Sequence, residues 1–169
     1  MHFQSWSYRF AEQVLNSNLT VKNEIESIIR STELPKAAYP RPELNKRFDD
    51  AFVKFGWQRQ PRVFEEEDVD EDKEMPFSKI DFLKARVGVE VAFSHASFIG
   101  IDLLKLQTLS YANLDKIDVG VYIVATKPLH KATGKAFDGS VMFEKVQRYL
   151  PHFKSAIQVP IWVVGLLPS

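Results

Sequence analysis

Cysteine is absent from the 169 residues, which excludes a disulfide framework and any thiolate metal site. No hydrophobic run approaches the roughly 20 residues that a membrane-crossing helix needs. The opening stretch, MHFQSWSYRFAEQVL, is amphipathic and has no basic start followed by an apolar core, so it does not read as a secretory signal. Internal repeats and a second core are missing as well. The expectation is a soluble, cytoplasmic protein of one domain, long enough to bury a sound core.

Net charge is also lacking, because 22 Lys and Arg balance 22 Asp and Glu. The balance hides an uneven distribution. Between Glu65 and Glu74, EEEDVDEDKE holds eight acids and one Lys, which leaves 21 bases against 14 acids, net +7, elsewhere. A basic body with an acidic insert is compatible with a polyanionic partner, although charge alone leaves an ordinary mixed surface the simpler reading.

Periodicity divides the chain into three parts. Residues 1–56 read as helices: SYRFAEQVLNSNLTVKNEIESIIRS carries Phe10, Val14, Ile25, Ile28 and Ile29 at helical spacing, with a break around Asn16–Thr20. A proline-rich connector follows. PELNKRFDDAFVKFGW then reads as a helix with Pro42 near its first turn, Leu44, Phe48, Phe52 and Phe55 on one face, and Gly56 at its end. Residues 57–76 are expected to form an exposed acidic loop, since clustered like charges repel. Residues 77–169 hold the core. SKIDFLK and RVGVEVAF are predicted strands, FIGIDLLKLQTLSYANL a helix, KIDVGVYIVAT a third strand, SVMFEKVQRYL a short helix and QVPIWVVGLL the last strand. Residues 126–139, TKPLHKATGKAFDG, are expected to be a basic loop. Helices followed by β-β-α-β-α-β give an α/β fold with a mixed central sheet flanked by helices.

Two carboxylates interrupt this Val- and Phe-rich sheet, Asp81 on the first core strand and Glu90 on the second. Residues i and i+2 of a strand face the same way, about 7 Å apart, so Glu90 and Ala92 address one small volume. A short turn between the strands would bring Asp81 alongside. Hard oxygens so arranged suit Mg²⁺, which takes one or two protein carboxylates and keeps most of its waters. On spacing alone, a solvated strand end and an exposed sheet residue are the stronger reading.

The segments IDFLKARVGVEVAFSHASFIGIDLLKLQ, DKIDVGVYIVATKPLHK and VPIWVVGL, with IIRSTELPKA and ELNKRFDDAFVKFGW upstream, resemble the Type II restriction endonucleases of the BglII, BstYI and BamHI group. The most specific parts are D-x8-E-V-x-F followed by S-F and a helix, then D-K-I-D-V-G-V, in the right order and separation. The resemblance implies a restriction-endonuclease-like PD-(D/E)XK core, working as a homodimer that cuts palindromic, GATC-centred double-stranded DNA with Mg²⁺. It also implies a cognate DNA methyltransferase in the same system. Asp81 and Glu90 match the family's metal-binding carboxylates. Ala92 falls where the family has Gln, Glu or Lys, a group that helps to orient or deprotonate the attacking water. Three explanations stay open: a change that silences a toxic nuclease, a natural variant that is weak or binds without cutting, or a lysine elsewhere, Lys79 or Lys84, in the role.

The same resemblance places two segments at the DNA. One is SHAS, offering Ser94, His95 and Ser97; the other is the basic loop, offering Lys127, His130, Lys131, Thr133 and Lys135. Lysine can donate to guanine O6 and N7, and Ser or Thr can serve either base. Asn45 in ELNK is a candidate support for the metal site. Asp118 is left outside the site. The helices at 99–113 and 139–150 are the implied dimer surface, although Leu103, Leu104, Leu106, Leu109, Val141, Met142 and Val146 equally suit an ordinary core.

Overall fold

A computed structural model describes residues 1–37, 39–63, 78–111 and 114–168. In chain order the elements are β1 (His2–Tyr8), α1 (Ala11–Asn16), α2 (Leu19–Ser31), α3 (Pro40–Lys54), β2 (Gln58–Arg59), β3 (Phe82–Lys84), β4 (Val87–Ala92), α4 (Ile99–Leu109), β5 (Val119–Ala125), α5 (Lys127–Ala132), α6 (Phe143–Tyr149) and β6 (Ile161–Leu167). Short 3-10 turns, Ala96–Phe98 and Leu150–Phe153, precede α4 and follow α6. The strands form one mixed six-stranded sheet in the order β1-β6-β5-β4-β3-β2. Pairing is parallel between β4 and β5 and between β5 and β6, and antiparallel elsewhere.

Strand alternation sorts the core into two layers. Val119, Val121, Ile123 and Ala125 of β5 join Val87 and Val89 of β4 against α1, α2 and α3, where Ile25, Ile28, Phe48 and Phe52 are buried. Tyr122 and Val124 face the opposite way with Ala92, against Leu103 and Leu106 of α4 and Val146 of α6. Gly120 allows close packing in that second layer, because a Cβ there would sit 2.9 Å from the Leu106 side chain and force it to shift. Gln107 anchors α4 by accepting from the backbone N–H groups of Gln158, at 2.5 Å, and Val159, at 2.9 Å.

The predicted α/β fold with a mixed, helix-flanked sheet is therefore observed, with local corrections. Residues His2–Tyr8 form an edge strand on β6 rather than leading into a helix. Phe10 stands in the left-handed conformation before α1 and is 76% exposed, so it lies off the buried face. Residues 126–139 are not all loop: the Thr126 hydroxyl accepts from Leu129 N–H and starts α5, with Pro128 in its first turn. Most of the expected acidic loop lies outside the described residues. Among the described residues no helix is long and apolar enough to cross a membrane.

Candidate active site

The β3–β4 hairpin turns on Ala85 and Arg86, both with positive φ, 45° and 63°. Tight two-residue hairpin turns require this geometry to match strand twist. Arg86 is held there by salt bridges to Asp115 at 2.6 Å and Asp118 at 2.8 Å. Asp118 is thus a surface partner of Arg86. The register places Phe82 opposite Val89, so Asp81, one step earlier, lies against Glu90. Asp81 Oδ2 accepts from the Val91 N–H at 2.7 Å. The two carboxylates of the sequence pattern do converge.

Glu90 is not the exposed sheet residue that spacing alone favoured. It is 4% exposed and points beneath α4. Lys105 Nζ of α4 meets Glu90 Oε1 at 2.5 Å and Asp102 Oδ1 at 3.3 Å, and donates to the Lys79 carbonyl at 3.1 Å. Tyr122, the β5 partner of Glu90 in register, donates its hydroxyl to Asp102 Oδ2 at 2.9 Å. The result is a closed, buried circuit from strand to helix and back.

Burial drives the Glu90 carboxyl well above the ordinary glutamate range, and facing Asp81 adds to the rise while Lys105 opposes it. Asp81 is raised too, by burial first, with the Val91 N–H pulling the other way. Burial likewise raises Asp102 against the pull of Lys105. For Lys105, burial works to lower the value, but the Glu90 and Asp102 carboxylates hold it above that of an ordinary lysine. Tyr122 is pushed well up by burial and by Asp102.

A cavity of about 310 Å³ opens beside this circuit, lined by Asn45, Lys46 and Asp49 of α3, by Arg59 and Gln60, and by Asp81 and Val91. Asn45 therefore shares a cavity with Asp81, as its candidate supporting role requires, whereas Glu90 lies behind it. Ala92 is 4% exposed and packs in an apolar cluster that includes Ile80, Leu103 and Val124. Lys84 is committed elsewhere: its ammonium binds Glu24 at 2.8 Å and the Phe55 carbonyl at 2.7 Å.

The two candidate DNA segments are neighbours. Ala96 N–H donates to the Gly139 carbonyl at 2.8 Å, Val141 N–H donates to Ser94 at 3.1 Å, and His95 bridges to Ser140. Arg41 ties the junction together by donating to Ser140 Oγ at 3.0 Å and the Phe93 carbonyl at 3.3 Å. Ser94, His95 and Ser97 are exposed, as are Lys127, Lys131 and Lys135. His95 Nδ1 contacts Ser97 Oγ at 2.9 Å. Thr133 spends its hydroxyl proton on the carbonyls of Leu129 at 2.9 Å and His130 at 3.2 Å. His130 is half-buried.

The family model described as restriction endonuclease BglII/BglIII matches residues 3–166. The chain belongs to that restriction endonuclease family. Among solved structures, BglII complexed with a DNA 16-mer is similar at a TM-score of 0.76 and 21% identity, covering 100% of this chain and 78% of that one. Free BglII is similar at a TM-score of 0.70 and 21% identity, covering 100% of this chain and 81% of that one. A comparison with curated proteins finds no match.

Type II restriction endonucleases generally use a divalent metal, and the donors of this BglII/BglIII-family chain fit one of the hard, oxygen-preferring kind. Among the described residues no three His, Cys, Asp or Glu side chains form a metal-holding group, but Mg²⁺ is commonly bound through one or two carboxylates. Glu90 Oε1 meets the Lys105 ammonium and takes no hydrogen bond from any other described group. Sequence reasoning missed Lys105, Asp102, Tyr122 and Arg41. A signal for the first two was present: Asp102 and Lys105 stand three apart inside the apolar helix IGIDLLKLQTL, the spacing of side chains that meet on one helix face.

Proposed function

We propose that this chain is a Type II restriction endonuclease of one domain, hydrolysing phosphodiesters of double-stranded DNA at a short, GATC-centred palindrome. The convergence of Asp81 and Glu90 beside an open cavity carries the reading. Asp81 and Glu90 would hold Mg²⁺, which polarises a phosphate and lowers the pKa of a bound water. Asn45 lines the same cavity, and the protein's own carboxylates set the site's position through the hairpin register. Ser94, His95 and Ser97, tied through Gly139–Val141 to the end of the 126–139 segment that carries Lys127, Lys131 and Lys135, would supply hydroxyls, imidazole and ammonium groups for bases and phosphates. The DNA 16-mer bound by the structurally similar BglII supports a duplex partner.

Assembly as a homodimer suits the apolar groove between α4 and the Leu150–Phe153 turn, where Leu104, Tyr149 and Phe153 are 48%, 44% and 50% exposed. Leu103, Leu106, Leu109, Val141 and Val146 are core residues instead. A two-fold dimer matches a palindromic site. The setting we infer is cytoplasmic, beside a cognate DNA methyltransferase.

A second reading rests on Ala92, whose methyl group offers no chemistry: a silent, sequence-specific DNA-binding protein on the same scaffold. Mg²⁺-dependent cleavage of unmethylated plasmid, run for the chain and for Ala92→Gln and Ala92→Lys, separates the two. Discrete fragments from the chain or either variant support the nuclease. Specific binding in Ca²⁺ with no cutting by any of them supports the silent protein.

A further inference from the structure

We propose that Lys105 completes the site: its ammonium, delivered from α4, supplies the positive group that strand β4 does not provide at Ala92. The inference rests on the nuclease reading of Asp81 and Glu90 and extends it to a positioning residue. Ala92 shares a strand face with Glu90 and has only a methyl group there. The cation present comes from across the helix–sheet interface, 7% exposed and 2.5 Å from Glu90 Oε1.

Geometry leaves Lys105 little freedom. One turn of α4 presents Asp102 and Lys105 together, and Tyr122 holds Asp102 from the strand next to Glu90. The Lys79 carbonyl, two residues before Asp81, takes a further ammonium proton at 3.1 Å. The ammonium is thus referenced to both carboxylate-bearing strands and fixes where the Glu90 carboxylate points. Stability alone gives little reason for such an arrangement, since well-packed apolar residues often replace a buried ion pair without loss. Its location beside Asp81 gives one.

The test compares the chain with Lys105→Met, Ala92→Lys, Ala92→Gln and the double variant Lys105→Met/Ala92→Lys. Cleavage kinetics and binding to duplex DNA in Ca²⁺ are measured at low temperature. Lys105→Met is expected to bind duplex as the chain does and to keep KM, while kcat falls by about 10²-fold, the scale of losing one preorganised electrostatic group. The double variant is expected to recover at least about tenfold of that loss, because a lysine from position 92 enters the same volume. Unchanged kcat in Lys105→Met, or no recovery in the double variant, overturns the proposal. Where Lys105→Met melts below the assay temperature, the double variant decides alone. If the chain is silent while Ala92→Gln or Ala92→Lys cuts, Lys105 does not complete the site and the nuclease reading still stands. If the chain and both Ala92 variants are silent, the nuclease reading itself fails.

Discussion

Replacing Lys105 by Met removes one charge from a site that holds three carboxylates. Its side chain is 9% exposed and that of Glu90 5%, so little solvent screens the pair. Breaking a buried ion pair by deleting one partner costs about 3–5 kcal/mol, because the remaining charge stays desolvated. For a domain of this size each kcal/mol moves Tm by about 2–4 °C, so the loss predicts a drop of about 6–20 °C at pH 7. Glu90→Gln in the same background removes the stranded charge and should recover at least half of the drop. The pH dependence has a definite sign. Asp81, Glu90 and Asp102 all titrate above their ordinary values in the folded chain. Their contribution to stability is therefore full below the ordinary carboxylate range and lost as pH rises through the folded values. The Lys105→Met deficit should accordingly shrink as pH falls from 7 towards 5. Calorimetric melts of the two single variants and the double across that range provide the assay. Strict additivity of Lys105→Met and Glu90→Gln, or a deficit that grows on acidification, would refute the reasoning.

Other perturbations probe the remaining links. Asp81→Asn keeps an oxygen for the Val91 N–H but removes a carboxylate that burial disfavours. Melting should show a gain of about 0.5–2 kcal/mol while cleavage is abolished, the usual exchange of function for stability. Gly165→Ala would place a Cβ 2.7 Å from both Phe143 and the Thr126 methyl; denaturant titration should show a loss of about 1–3 kcal/mol from overpacking. Ala85→Gly should raise stability by up to about 1 kcal/mol, since the left-handed conformation costs a non-glycine residue about that much. Lys131→Ala and Lys135→Ala should each lower the slope of log K against log salt by about 1 in duplex-binding titrations if each neutralises a phosphate.

How far the sequence carried differs by element. Strands β4, β5 and β6 announce themselves because buried strands are Val- and Ile-rich and bounded by turns, and α2 and α3 because their apolar stripes recur at helical spacing. The edge strand β1 does not, since HFQSWSY has no clean alternation and takes its conformation from pairing with β6. Helix α5 has only six residues, with Pro128 in its first turn and Gly134 just past its end as signals that suggest loop, and its start depends on the Thr126 cap. Asp81 and Glu90 were singled out by resemblance, since spacing alone favoured solvated side chains, and it is the hairpin register that brings the two together. Lys105 was not, because its partner lies fifteen positions away on a strand, and only the packing of α4 over β4 brings them together. The depth of Glu90 has the same origin: its alternation was visible, but which layer would cover it was not.

The measurement that bears most directly on the central claim is cleavage of unmethylated plasmid DNA by the chain beside Asp81→Asn, with Mg²⁺ and with EDTA, Ala92→Gln and Ala92→Lys included. Discrete fragments are expected in Mg²⁺ and none in EDTA or from Asp81→Asn. Cleavage that survives Asp81→Asn, or silence from the chain and both Ala92 variants while duplex is still bound in Ca²⁺, would contradict the assignment of Asp81 and Glu90 to a DNA-cutting site.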